Sequence, residues 1–259
     1  MANEIHPSAI INPHAEIEDD VAIGPFCIIG EGVHIKKGSK LVSNVLVESN
    51  TEIGNNCTIY PFTSIGLPPQ DMKYKDEKTG VKIGDNNTIR EYVTIHRASV
   101  SGDGITTIGN NNFLMAYVHI AHDCKIGSHV IMANVATLAG HIVVEDHAVI
   151  GGLVAIHQFT RIGAYAMVGG FSGVGQDIPP YMIASGARAK LFGLNAIGLK
   201  RHGFSDQTIN ELKKAYKILF REKHTLKEAI RKIQEDLPYT DEIKHLIEFI
   251  QKNKRGICR

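Results

Sequence analysis

Four histidines, a glutamine and a glycine share a spacing that could gather them. His122, Gly140 and Gln158 follow one another at intervals of 18 residues. His141 comes directly after Gly140, His157 directly before Gln158, and His119 stands just ahead of His122. Imidazole is the side chain best suited to general-base work near neutral pH. Asp123 follows His122 and could orient its ring, but along an extended chain adjacent side chains point to opposite faces. A second series at the same interval, Ala116, Asn134, Gly152 and Gly170, is made of small residues. Stacked above one another, they would leave a shallow groove. The chemistry implied is proton transfer beside a groove, provided that 18 residues make one structural repeat.

The hydrophobic pattern says that they do. Every sixth residue from Ile108 is aliphatic or Met: Leu114, Ile120, Ile126, Met132, Leu138, Val144, Ile150, Ile156, Ile162, Val168 and Val174. A second series runs from Ile5 through Ile23, Leu41 and Ile59 to Ile65, and a short one holds Ile83, Ile89 and Ile95. A period of six is neither helical nor a plain alternation; it marks a hexapeptide β-helix, each hexad being a short strand and a corner. The fifth place is small or β-branched, as in Val21, Cys27, Val33, Val118, Cys124 and Ala136. One large and one small inward residue per hexad would fill a narrow triangular prism, and three hexads make one coil. Gly recurs at the second place (Gly24, Gly54, Gly127), with Asn and Asp near by, as in Asp85-Asn86-Asn87. These residues tolerate the positive φ that tight corners need.

The first ladder stops at Leu67. The polar stretch LPPQDMKYKDEKTG inserts a loop over about 67–82, long enough to suggest a functional role. A second insertion, over 97–107, is rich in Gly and Ser and reads as a plain loop. After Val174 the breaker Asp177-Ile178-Pro179-Pro180 ends the pattern. Residues 1–180 are therefore expected to form the β-helix and 181–259 a linker and helical domain, with 181–204 irregular. Ser205, Thr225 (with Glu228 as a capping box) and Thr240 are expected to start three helices, the last stopping at Gly256.

Composition narrows the function. Net charge is +1, which argues against a nucleic-acid binder held by bulk charge. No apolar run reaches the roughly 18 residues of a membrane span, so no membrane insertion is expected. The start of the chain lacks a secretory pattern, which predicts a cytoplasmic protein. The four cysteines, Cys27, Cys57, Cys124 and Cys258, form no Cys-x-x-Cys pair and read as reduced core residues.

Several segments together resemble the UDP-N-acetylglucosamine O-acyltransferases: MAYVHIAHDCKIG at 115–127, LAGH at 138–141, IGG at 150–152, HQF at 157–159, GGFSGV at 169–174, NAIGLKRHGF at 195–204, and QDMKY at 70–74. The resemblance covers nearly the whole chain. It implies a left-handed parallel β-helix followed by a C-terminal α-helical region, assembled as a homotrimer with active sites between subunits. It implies transfer of a 3-hydroxyacyl chain from acyl carrier protein to the 3-hydroxyl of UDP-N-acetylglucosamine, the first step of lipid A biosynthesis, with no metal and no cofactor. On this reading His122 is the general base, Asp123 its partner, and the Gly140 amide the oxyanion donor. Gln70, Asp71, Lys73, His119, His141, His157, Gln158, Asn195 and Arg201 match substrate-contacting positions, and Gly152 and Gly170 the acyl groove. The chain departs from some relatives at Ile197 and His202, where Glu and Arg stand in them. Two other readings fit the repeat: a zinc enzyme like the γ-class carbonic anhydrases, holding metal with three His, and a non-catalytic solenoid that binds a sugar nucleotide.

Overall fold

The computed structural model describes residues 2–48 and 50–259. Among the described residues the strands form three sheets, of eleven, nine and eight members, each taking every third strand of the chain except that the eleven-stranded sheet ends on two consecutive strands. The first face begins at Glu4–Ile5, the second at Ile10–Ile11 and the third at Glu16–Ile17. Pairing is parallel and in register at 18 residues, as in Ile5↔Ile23, Ile10↔Ile28 and Glu16↔His34. The coil is left-handed, against the usual right-handed rule for parallel crossovers.

Both insertions are extruded with the first-place residues still paired, apart from a bulge between Ile65 and Leu67 where the first loop leaves the ladder. Across the first, Ile53 pairs with Ile83 and Ile59 with Ile89; across the second, Ile83 pairs with Ile108 and Ile89 with Leu114. The first-place residues Ile23, Ile29, Ile59, Leu114, Ile120 and Leu138 are buried, and so are the fifth-place Val21, Cys27, Val33, Cys124 and Ala136. Each buried aliphatic side chain contributes roughly 1.5–3 kcal/mol, so a coil is stable only when stacked on the next. The first coil has no coil beneath it, and its Ile5 is 45% exposed. All four cysteines are buried and unpaired.

The corners correct one expectation. Gly24, Gly54 and Gly127, at the second place, do not carry the positive φ. They are needed for close approach: a Cβ on Gly24 would lie 1.7 Å from the Val42 carbonyl oxygen, and one on Gly54 2.4 Å from the Gly84 backbone. The left-handed torsion falls on the fourth place of nearly every hexad. Asn56, Asn86 and Asn111 tolerate it readily, but Tyr117, Asp123, His129, Val135, His141, Leu153, Phe159 and Phe171 adopt it too.

Residues 181–204, expected to be irregular, are ordered. Met182–Ser185 adds to the first face in parallel and Lys190–Leu194 returns antiparallel, so the sheet continues past residue 180. Helix α1 (Ala196–Arg201) follows, then α2 (Asp206–Phe220), α3 (Leu226–Asp236) and α4 (Asp241–Gln251). Ser205, Thr225 and Thr240 cap the last three, with the capping box at Thr225 and Glu228. Helix α4 ends before Gly256, because the Asn253 side chain donates to the Ile250 carbonyl at 2.6 Å. Gly256, at φ +81°, instead turns the tail so that Ile257 bridges Asp177. Asp177 also accepts from the Arg161 guanidinium, which donates to the Phe249 carbonyl, tying the solenoid to α4.

Candidate active site

The edge between the second and third faces carries the histidine cluster. Ile120 pairs with Leu138 and Leu138 with Ile156, so His122, Gly140 and Gln158 stack on successive coils. The His141 N–H donates to the His122 carbonyl at 3.0 Å and the Phe159 N–H to the Gly140 carbonyl at 3.2 Å, which fixes the stack. A cavity of about 500 Å³ opens here, lined by Gln70, His96, His119, His122, Gly140 and Gln158 among others.

The doubt about Asp123 is resolved by the corner. Asp123 is not in a strand; at φ +62° its side chain turns back beside that of its neighbour. The His122 ring is 2.7 Å from Asp123 Oδ2 through Nδ1. A carboxylate only accepts, so Nδ1 carries the hydrogen, and in the neutral ring Nε2 keeps a lone pair. Gly140 lies across the ring: a Cβ there would come within 2.7 Å of Nε2. The Gly140 N–H has no acceptor among the described residues. A base and a free amide donor thus flank one point, the arrangement acyl transfer requires. His141 stands edge-on to His122 at 5.2 Å between centroids, stacks on Phe159, and brings Nε2 to 3.5 Å from Asp123 Oδ2.

His96 and Thr94 were not singled out from the sequence. His96 Nδ1 lies 2.6 Å from the Pro68 carbonyl and must donate to it, leaving Nε2 as an acceptor. Thr94 Oγ1 meets His119 Nδ1 at 2.7 Å. Both come from the coil before His119, offset by 25 residues in pairs such as Thr94↔His119, so a search at 18 passes over them. Burial, helped by the neighbouring imidazoles of His96 and His122, lowers the His119 pKa to about 4. His119 is therefore neutral in the neutral range. As pH falls from 6.5 toward 4, the unfolded chain takes up a proton that folded His119 refuses, so the fold weakens across that window. His119→Gln is expected to reduce this acid sensitivity, read as a smaller drop in Tm between pH 7 and pH 4.5.

The first inserted loop reaches the same edge. Gln70 lines the main cavity, while Asp71 and Lys73 face His141 and Gln158 in an adjoining one of about 280 Å³. The loop is anchored from below by Arg97, whose Nε donates to the Tyr74 hydroxyl at 2.9 Å; Tyr74 in turn donates to the Glu77 carbonyl.

The remaining sites lie elsewhere on the chain. His157 meets Arg255 at 3.0 Å, beside a third cavity of about 480 Å³ that includes Ala155, Gly173, Arg188 and Cys258. Ala155 lines both this cavity and the one at His122. The outward column on the second face, Thr94, His119, Thr137, Ala155 and Gly173, thus shrinks into a trough leading away from His122. Gly152 and Gly170 stack as expected, a Cβ on Gly170 meeting the Gly152 carbonyl at 3.2 Å, but on the edge between the first and second faces. Asn195 caps α1 through Gly198 and donates to the Tyr165 carbonyl, and Arg201 ends that helix. Both are on the third edge, so one chain does not bring them to His122. Ile197 is exposed, and His202 packs edge-on against His147 and Tyr165.

A left-handed hexapeptide coil carrying a His–Asp pair beside an unpaired glycine amide defines the class of hexapeptide acyltransferases. Residues 105–140 match the bacterial transferase hexapeptide model, and residues 177–258 match the second domain of UDP-N-acetylglucosamine O-acyltransferase. The acyl-[acyl-carrier-protein]–UDP-N-acetylglucosamine O-acyltransferase of Thermodesulfovibrio yellowstonii is 72% identical over 99% of this chain and 100% of its own length. The enzyme of the same name from Syntrophobacter fumaroxidans is 49% identical over the same shares. The crystal structure of UDP-N-acetylglucosamine O-acyltransferase from Moraxella catarrhalis superposes with a TM-score of 0.96 at 45% identity, covering 98% of this chain and 99% of that one. The chain belongs to the UDP-N-acetylglucosamine O-acyltransferase family.

Proposed function

We propose that this protein transfers a 3-hydroxyacyl chain from acyl carrier protein to the 3-hydroxyl of UDP-N-acetylglucosamine, the first step of lipid A biosynthesis. The observation that carries the reading is the His122–Asp123 pair facing the free Gly140 amide. His122 Nε2 takes the proton of the sugar hydroxyl as its oxygen attacks the thioester carbonyl. The Gly140 N–H donates to the oxyanion. Collapse expels the carrier thiolate, which receives the proton from His122. The acyl group arrives on its carrier, so the chemistry calls for no resident cofactor or metal. The donor atoms of His122, Asp123 and His141 do lie within 4.8 Å of one another. Full-length kinship with acyltransferases nevertheless favours the hydrogen-bonded pair over a zinc site, and catalysis over a passive scaffold.

A homotrimer with sites between subunits accounts for two features. Asn195 and Arg201 are remote from His122 within one chain and would reach it from a neighbour. The first edge also exposes an apolar spine, Phe26, Phe62, Tyr92, Tyr117, Leu153 and Phe171, with Tyr92 stacked between Phe62 and Tyr117. Such a stripe is unusual on a solitary chain. Lys200, Arg201, Lys213, Lys214 and Arg221 suit an acidic carrier protein. No helix among the described residues is long and apolar enough to cross a membrane, in keeping with cytoplasmic work.

Mass spectrometry of the product from UDP-N-acetylglucosamine and mixed acyl-carrier donors tests the reaction; failure to acylate the sugar nucleotide refutes it. Gly170→Met tests the groove. Its backbone is outside the left-handed region and a Cβ makes only one tight contact, at 3.2 Å, so the variant is expected to fold. Donor preference should move to shorter chains, by about tenfold or more in kcat/KM for each methylene excluded. An unchanged chain-length profile would remove Gly170 from the groove.

A further inference from the structure

The second inserted loop, expected to be plain, closes over the catalytic pair. Ser99 is buried, and its hydroxyl lies 2.7 Å from Asp123 Oδ2, while its backbone N–H reaches the same oxygen at 3.1 Å. Because a carboxylate only accepts, the single Ser99 hydroxyl proton goes to Asp123. The Ser101 hydroxyl, 2.6 Å from that of Ser99, must then donate to it. A relay of donors therefore runs from Ser101 through Ser99 to Asp123, and the His122 N–H arrives at the same oxygen from the other side. From below, the Thr106 hydroxyl accepts from the Asp123 N–H at 2.9 Å. Gly102 completes the clamp: a Cβ there would lie 2.3 Å from Asp123 Oδ1. The loop is pinned beyond this by an ion pair between Asp103 and Lys125.

The clamp matters because Asp123 has two imidazoles within reach. His141 Nε2 is 3.5 Å from the oxygen that His122 already holds at 2.7 Å. A carboxylate free to rotate could pair with either ring. Pairing with His141 would release the His122 ring and its tautomer.

We propose that Ser99 is a positioning residue for acyl transfer: its hydroxyl and amide lock the Asp123 carboxylate onto His122 and away from His141. This rests on the acyl-transfer reading above. Ser99 acts on the orientation of the base and not on the sugar nucleotide, so its removal should lower kcat and leave KM for UDP-N-acetylglucosamine nearly unchanged.

The test uses the full-length protein and acyl-carrier donor. Ser99→Ala is expected to lower kcat about 10- to 100-fold, the scale of a misaligned catalytic group. Ser99→Thr, which keeps the hydroxyl, should restore most of it. In an Asp123→Asn background, Ser99→Ala should cost little more, because residues acting as one unit are non-additive. Gly102→Ala crowds the same carboxylate without touching a donor and should reproduce the kcat loss; it carries the test if Ser99→Ala does not fold. The proposal fails if Ser99→Ala keeps wild-type kcat, if its loss appears only in KM, or if the loss is undiminished in the Asp123→Asn background. Absence of acyl transfer by the unmutated protein would refute the functional reading itself, a result distinct from all of these.

Discussion

His122→Ala is expected to fold and to lose acyl transfer by about 10²- to 10⁴-fold, the usual contribution of a positioned general base. The ring sits at an edge of the prism and not within it, so the core residues Ile120 and Cys124 on either side keep their packing. The fold should pay a modest penalty: Asp123 loses one donor, but the Ser99 hydroxyl and amide still satisfy it. Losing one of several partners costs about 1 kcal/mol, well short of unfolding the solenoid. Because Nδ1 is committed to Asp123, only Nε2 can act as the base. Steady-state kinetics beside thermal unfolding decide the matter. A folded His122→Ala that retained near-normal kcat would take the catalytic role away from this residue.

Gly140→Ala is the second substitution expected to act strongly, and its mechanism is steric. The added Cβ would lie 2.5 Å from His122 Cε1 and 2.7 Å from Nε2, well inside contact distance. Either the ring swings away or the Gly140 backbone moves and carries its N–H off the oxyanion position. Displacing a catalytic group by about 1 Å costs on the order of 10²-fold, and losing an oxyanion donor about 10²- to 10³-fold. The expected result is a fall in kcat of about 10²-fold or more, with little change in KM for the sugar nucleotide. Gly175→Ala is the natural control. Its Cβ would meet nothing within 4 Å, and its backbone is outside the left-handed region. If Gly140→Ala matched that control, the glycine would be needed only for room between coils, as Gly24 and Gly54 are.

Both predictions depend on a vertical alignment that is legible in the sequence. The six-residue period gives the coil, three hexads give the 18-residue register, and the register alone stacks His122, Gly140 and Gln158. The helix starts at Ser205, Thr225 and Thr240 were equally legible, since a capping side chain acts within its own turn. Handedness was not legible from periodicity; it came with the resemblance, since a repeat of six serves either hand.

Tertiary structure alone decided the site's supporting parts. That Asp123 touches His122 depends on a left-handed corner torsion, borne here by residue types as different as Val135 and Phe171, so composition does not mark it. That Ser99 grips Asp123, and that His96 and Thr94 flank His119, depends on how two insertions of unequal length are folded out of the coil. A repeat fixes position only while the count is unbroken; once the chain leaves the ladder, neighbours are chosen by where the loop packs. The same reason keeps Asn195 and Arg201 on a different edge from His122: sequence spacing set their place along the column, and the faces of the prism set their separation around it.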